Sequence, residues 1–454
     1  MSNSQRYSEW TREQLLAHIK KLENHQKHGL VWEEEQPEVQ EDAAAILVEV
    51  PDKAIDTGSE LIHTLIEGDN IHALSALHAT HEKAIDLIYI DPPYNRGFRE
   101  GNESRYNDHY VDGNHNFRHS KWLGFMQKRL RLARGLLKDT GVIFISIDDN
   151  ELAPLRLLMD KFFGEENYRN TIIIRRGAKN VQAQFATIDK LASGYEYILF
   201  YSMNPDQRFP KMTRKLENPK QGRWNNHWRG TNRPTMRYEL LGVTPSSGQW
   251  RWARSRSMAA VENYRLLLQE LGKETEDLSQ VEIDEWFLAK SAGLGKEVDL
   301  LRLSSNGKPE HYVPPTDSTL LNDVWFDISP NSTSILKSMF GTKVFYNPKP
   351  LELIQRLCQF APKDAVILDF FAGSGTTAHA VLELNKEDGG HRRVILATNN
   401  ENGICTEVCY PRLEKVITGY RNLRGFKIPG LGGNLKYFRV SPVPTCGAGK
   451  ELAG

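Results

Sequence analysis

Short apolar runs that stop on an acid, each followed by a segment of helical period, constrain this chain more than any other feature. "IDLIYIDPPYN" leads through a loop to the helical "SKWLGFMQKRLRLARGLL", and "TGVIFISIDDN" leads to "ELAPLRLLMDKFFG". "LIHTLIEGDN" precedes the short helical "IHALSALHA", while "AVILDFFAGSGTTAHAVLELN" holds run, turn and helix in one piece. "NTIIIRR", "YEYILFYS" and "RRVILATNNENG" add three further strand patterns. Apolar runs without polar alternation suit strands buried on both faces, and strand–helix alternation calls for a mostly parallel sheet covered by helices on both sides. The expected fold class is therefore α/β, with a doubly wound sheet.

The rhythm breaks at about residue 203 and returns near "DVWFDIS". Between them lie clustered Asn, Gly, Pro, Arg and Trp, then a polar helical portion, "AAVENYRLLLQELGKETEDLSQVEIDEWFLAK". One α/β domain interrupted by an insertion is expected. Its divisions are an N-terminal helix and acidic linker over 1–45, one half of the domain over 46–202, the insertion over 203–322, the second half over 323–430, and a tail of little periodicity over 431–454. In the first segment Thr11 and Gln14 have capping-box spacing, and Leu15, Ile19 and Leu22 share a helical face. The acidic stretch from Glu33 to Asp42, which carries Pro37, reads as a connection.

Bulk properties narrow the class further. A chain of 454 residues can bury a sizeable core, and 26% charged residues with a mean hydropathy of -0.52 exclude a membrane-spanning protein as the expectation. Its longest apolar runs are too short to span a bilayer, and no secretion signal opens the chain, so a cytoplasmic location is expected. Cys405 and Cys409 lie four apart, but no second pair or nearby His completes a zinc site; packing cysteines, and no metal, are the expectation.

Two turns carry the chemistry. In "LDFFAGSGTT" a buried strand ends at Asp369, Gly373 and Gly375 permit a tight turn, and a helix opening at Thr376 presents free amides to a ligand. Taken alone, the motif also suits a tight turn that binds nothing. A phosphate loop would need a lysine where this sequence has Gly375-Thr376-Thr377, and the dinucleotide fingerprint would need a third glycine where Ala378 stands. An adenosyl ligand remains, whose ribose needs an acid after the next strand; "VILATNNEN" supplies Glu401. In the other turn Asp91 ends a strand, Pro92 and Pro93 stiffen the backbone and direct carbonyl oxygens with the Asp91 side chain into the crevice, and Tyr94 offers a flat face. Acceptors beside a stacking ring suit an aromatic amine such as a nucleobase.

These residues resemble the S-adenosylmethionine-dependent DNA amino-methyltransferases of the beta class, in which the catalytic motif precedes the cofactor motif. The resemblance rests on "GDN" at 68–70, "DPPYN", "GVIFISIDDNE", "EYILFY", "NPKP" at 347–350, the glycine turn and "NNEN", and is closest to the modification subunits of type III restriction-modification systems. It implies a methyltransferase-type, Rossmann-like fold and transfer of a methyl group to the N6 amine of adenine in duplex DNA, with the base flipped out. RNA or cytosine-N4 transfer, and a DNA-binding module with an inactive pocket, are the alternatives. Asp91 and the Pro92 carbonyl would accept from the amine and Tyr94 would stack. Asp69 would contact the cofactor adenine, Glu401 its ribose and Lys349 its carboxylate. Asp369, Gly373, Gly375 and Thr376 would line its methionine part, with Asn70, Asn347, Phe370, Ala372, Ser374 and Asn402 in the same motifs. Asp at the first motif position favours adenine.

A local basic excess, about twelve Lys and Arg against two acids between Arg208 and Arg256, coincides with the insertion. Arg223, Trp224, Trp228, Arg229, Arg233, Arg237, Trp250 and Arg251 combine phosphate contacts, base-edge donors and stacking surfaces, so the insertion is read as the DNA recognition domain. The resemblance also implies a homodimer and a restriction (helicase-nuclease) subunit as partners. The modification subunits it resembles continue past the position where this tail stops, so a dimerisation or docking element is expected to be missing here.

Overall fold

The computed structural model describes residues 10–16, 45–96, 117–177, 187–188, 191–330 and 332–442. The chain packs as two units. The first runs up to Phe209 and resumes at Asp323; the second is Pro210–Asn322.

In the first unit one sheet takes β1 Ala45–Glu49, β2 Ile62–Glu67, β3 Ile85–Ile90, β4 Leu137–Ile147, β5 Tyr168–Arg175, β6 Tyr195–Ser202, β7 Val324–Trp325, β8 Val366–Asp369, β9 Arg393–Thr398 and β10 Asn434–Pro442. Their order is β1-β10-β2-β9-β8-β3-β4-β6-β5-β7. Neighbours from β10 across to β4 are parallel. β6 runs antiparallel to both β4 and β5. A parallel return needs a crossover, and no stretch of helical period separates "NTIIIRR" from "YEYILFYS".

The helices, in chain order, are α1 Asn70–His81, α2 Arg118–Leu136, α3 Leu152–Phe163, α4 Arg254–Leu271, α5 Gln280–Leu294, α6 Thr333–Phe340, α7 Leu351–Cys358, α8 Thr376–Asp388 and α9 Tyr410–Thr418. α2 shows what holds them. Trp122, Met126, Leu130 and Ala133 follow each other at steps of four, four and three, and all are fully buried. Each large member contributes up to roughly 1.5–3 kcal/mol by burial, whereas the first turn has no side-chain cap. Packing, not capping, therefore stabilises this helix.

β3 is buried on both faces along its whole length. Asp86 lies within it, and a buried acid is costly unless paired. Its Oδ2 accepts from the Val366 amide at 2.8 Å, at the start of β8, and its Oδ1 from Lys138 Nζ at 2.7 Å. The acid thus fastens β8 beside β3, in the register that sets Ile367 against Leu87.

The stretch read as a tail of little periodicity from 431 onward contains a strand in its described part. Residues Asn434–Pro442 form β10, inserted between β1 and β2. Leu435 and Tyr437, two apart, turn inward on either side of the exposed Lys436, and Phe438 next to Tyr437 interrupts the alternation in the sequence. At the amino end, residues 12–16 are helical, and Thr11 and Gln14 exchange both capping-box bonds, at 2.9 and 3.2 Å. Ile19, Leu22, the acidic stretch 33–42 and Cys446 lie outside the described residues.

The second unit has its own core. α4 and α5 enclose Tyr264, Leu267, Ile283, Trp286 and Phe287 together with Tyr312. A smaller cluster gathers Leu240, Trp250, Ala260, Val261 and Leu301. Among the described residues no helix is long and apolar enough to cross a membrane, and no group of three or more His, Cys, Asp or Glu could hold a metal. Cys358, Cys405 and Cys409 are buried and free of disulfides.

Candidate active site

β2, β9, β8 and β3 are successive parallel neighbours, so their carboxyl ends lie side by side. Each hands over to a segment singled out in the sequence: Asp69 and Asn70 after β2, Glu401 and Asn402 after β9, the glycine turn after β8, and Asp91 to Asn95 after β3. Ligands of open α/β sheets bind in such a crevice.

The Asp91 turn is held from several sides. Asn95 takes a left-handed backbone, φ 54°, and is fully buried; its Nδ2 donates to Glu151 Oε1 at 2.6 Å and to the Arg118 carbonyl at 3.3 Å. The Pro93 carbonyl accepts from Trp122 Nε1 at 2.7 Å. It therefore points into the core and not into the crevice, contrary to the expectation for both proline carbonyls. Tyr94 is 4% exposed. Arg96 lies 4.8 Å from the centre of its ring and is anchored to Asp148 at 2.7 Å, while Lys349, at 5.0 Å, sits beyond the ring's hydroxyl, to which it donates. Burial and the Asp91 charge push the Tyr94 hydroxyl well above its ordinary pKa, so it stays protonated.

In the glycine turn, Gly373 and Gly375 have φ of 49° and 75°, and Gly375 opens α8 with no side-chain cap. Uncapped amides at a helix start, reached through residues without side chains, fit a polar ligand close to the backbone. The side chains around them serve the turn itself. Asp369 accepts from the Phe371 amide at 3.0 Å and from Thr377 Oγ1, and burial raises its carboxyl to about 7. Ser374 and Thr376 are buried with their hydroxyls against Arg412 Nη1, at 3.1 and 2.8 Å. Phe370 is fully buried and Ala372 nearly so.

Asp69 caps α1 through the Ile71 amide and pairs with Arg129 at 3.0 Å, its side chain 55% exposed. Asn70 donates to the Phe370 carbonyl at 2.8 Å and accepts from Arg129, tying α1 and α2 to the glycine turn. Glu401 and Asn402 are exposed in the turn after β9, Asn402 with φ 51°. Asn347 is exposed, φ 50°. Lys349 reaches the Asp91 turn, 3.3 Å from Asp91 Oδ1.

In the insertion, Arg223, Trp228, Arg233 and Arg251 are exposed, and Arg229 and Arg237 half-buried. Trp228 is fixed by its Nε1 to the Ser247 carbonyl at 2.6 Å, and Arg237 by its Nε to the Gly248 carbonyl at 2.7 Å. Trp250 is different from its expected role: at 2% exposed, bonded to the Tyr238 carbonyl, it is a core residue with no face for a base. Trp224 likewise packs against Tyr264 and Tyr312. Arginine–tryptophan interleaving in a sequence marks a small aromatic core as readily as a stacking surface.

Sequence reasoning missed three supports. Arg412 is 2% exposed beneath the glycine turn, donating to Ser374, Thr376 and His379, and burial lowers it to about 10. Arg129 lies within a helix read only for its apolar stripe. Glu196, inside "EYILFY", lies 2.9 Å from Lys349. Each acts on residues remote in sequence, and no local pattern announces it.

The DNA methylase family profile matches residues 85–408. The chain is 34% identical over 390 residues to the type II methyltransferase M.KpnI of Klebsiella pneumoniae, covering 80% of this chain and 85% of that one. It is 30% identical over 421 residues to the type III restriction-modification enzyme StyLTI Mod subunit of Salmonella typhimurium, covering 82% of this chain and 59% of the relative. The EcoPI Mod subunit of Escherichia phage P1 is 28% identical, with 57% of its length covered. With a match through both the Asp91 turn and the glycine turn, the chain belongs to the DNA methylase family, S-adenosylmethionine-dependent DNA methyltransferases.

Proposed function

We propose that this chain methylates the N6 amine of adenine in duplex DNA, on a base rotated out of the helix. The observation that carries this reading is the placement of Asp91 and the Pro92 carbonyl at the end of β3, beside the glycine turn that ends the adjacent β8. S-adenosylmethionine, when bound, supplies a methyl group already activated by its sulfonium. Asp69 and Asn70 would hold the adenine end, Glu401 and Asn402 the ribose, the backbone from Phe370 to Thr376 the methionine part, and Asn347 and Lys349 its polar end. Asp91 and the Pro92 carbonyl then accept from one amine, which aligns its lone pair and gives its departing proton an acceptor. Tyr94 stacks on the base once Arg96 gives way. The exposed Arg223, Arg233 and Arg251, with Trp228, are the DNA contacts in the insertion.

The likeness to the StyLTI and EcoPI Mod subunits supports a place in a type III restriction-modification system, with a restriction subunit as partner. A homodimer and a cytoplasmic location complete the proposal.

Labelled methyl transfer to plasmid DNA, followed by sequencing of the modified DNA, tests it and gives base and recognition sequence together. Label in single-stranded RNA but not in DNA would overturn it. Asp91→Ala should abolish transfer while S-adenosylhomocysteine still binds; loss of both would move Asp91 to the cofactor site.

A further inference from the structure

The Lys349 ammonium faces three oxygens. Nζ lies 2.9 Å from Glu196 Oε1 and 3.3 Å from Asp91 Oδ1, and donates to the Tyr94 hydroxyl at 2.6 Å. That hydroxyl donates in turn to Glu196 Oε2 at 3.2 Å. The Lys349 and Glu196 side chains are only 11% and 12% exposed, so solvent screens them little. Burial alone would lower Lys349, but the charges of Asp91 and Glu196 outweigh it and keep the ammonium protonated.

One ammonium is therefore shared between two carboxylates, and it stands nearer to Glu196. The alternative arrangement shows what this achieves. Without Glu196, Asp91 would be the one carboxylate of these three oxygens' owners left to the ammonium, and an ammonium closed onto it would compete for the oxygen that the target amine needs. A buried pair of that kind is hard to separate once formed.

We propose that Glu196 is a positioning residue for methyl transfer: by holding the Lys349 ammonium together with the Tyr94 hydroxyl, it leaves the Asp91 carboxylate to the target amine. This rests on the amine-acceptor role given to Asp91 above. It concerns a residue that no apolar or motif pattern assigns, and it gives "EYILFY" a polar function beyond forming β6.

The test is a double-mutant cycle in the full-length chain with Glu196→Gln, Lys349→Met and the double variant. Transfer is measured on plasmid DNA at saturating S-adenosylmethionine, separating kcat from the KM for DNA, with S-adenosylhomocysteine affinity measured in parallel. With Lys349 present, Glu196→Gln should lower kcat/KM for DNA by roughly 10- to 100-fold, within the span of coupling between contacting residues. It should leave S-adenosylhomocysteine affinity little changed. With Lys349→Met in place, the same Glu196 change should have little further effect, because the ammonium that competes for Asp91 is then gone. A second readout needs no turnover: 2-aminopurine at the methylated position reports entry of the flipped base by fluorescence. Entry should fall in Glu196→Gln and be alike in Lys349→Met and the double variant. Equal losses in both backgrounds, as a merely structural or unfolded site would give, overturn the proposal; so does a Glu196→Gln enzyme as active as the parent. Absence of methyl transfer to DNA by the parent enzyme would instead sink the functional reading itself.

Discussion

At Asn95 two demands meet in one side chain. The backbone is left-handed and the residue fully buried, with donors needed by Glu151 and by the start of α2. Asparagine tolerates that conformation and supplies the amide; no other residue type does both as well. Asn95→Ala should therefore lose the hydrogen bonds and strain the turn, costing about 2–4 kcal/mol. Asn95→Gly should relieve only the strain and melt between the two. Equal melting temperatures for Ala and Gly would show that the backbone term is negligible. Asp369 gives a prediction of opposite character. Its carboxyl, raised by burial to about 7, binds its proton more tightly folded than unfolded. Its stabilising contribution is thus complete below the ordinary carboxylate range and is lost as pH rises through about 7. Asp369→Asn, which can still accept from the Phe371 amide, should flatten that decline; parent and variant melting curves of identical slope between pH 5 and about 7.5 would refute it. Sequence spacing brings both residues to notice, Asn95 as an unexplained end to a motif and Asp369 as a strand end. It cannot show their bonding partners, which are Arg118 in α2 and Glu151 just before α3 for Asn95, and Phe371 and Thr377 for Asp369.

Elements whose apolar pattern is uninterrupted were legible before folding. β3 and β9 are buried through nearly their whole length, β4 is buried from Gly141 to Ile147, and α2 carries its stripe at helical spacing. β10 escaped because Phe438 follows Tyr437 directly and breaks the apolar-polar alternation begun by Leu435, Lys436 and Tyr437, and because its place between β1 and β2 pairs segments far apart in the sequence. α9 shows a subtler case. It follows a π-helical segment, Ile404–Cys409, which brings Cys409 close to Gly375, and it contributes Arg412 to the underside of the glycine turn. A buried guanidinium without a directly bonded carboxylate is costly, and is tolerated here because its donors satisfy Ser374 and Thr376. Arg412→Met keeps the stem of the side chain but strands those acceptors. It should weaken S-adenosylhomocysteine binding about 10-fold or more, through the turn it supports. Unchanged affinity in a folded Arg412→Met protein would mean that the turn keeps its shape without this element.

The two units differ in what they carry. The sheet unit contains both turns at its adjacent strand ends, and its core, from Ile66 through Leu368 to Ala397, is complete without any residue of 210–322. The second unit has separate cores around Tyr264 and Trp250, with exposed arginines outside them. Zero net charge over the whole chain conceals this separation, and only the local excess between Arg208 and Arg256 reveals it. If the insertion reads DNA while the sheet unit binds the cofactor, replacing 210–322 by a short Gly/Ser linker should leave S-adenosylhomocysteine binding intact and remove sequence-specific duplex binding. The comparison needs titration at more than one salt concentration, because phosphate contacts from arginines weaken steeply with salt and base-edge contacts do not. Charge reversal at Arg223, Arg233 and Arg251 together should reduce the salt dependence as well as the affinity. A shortened protein that still selects its methylation site would place recognition on the sheet unit, and the basic insertion would then serve only as a general phosphate contact.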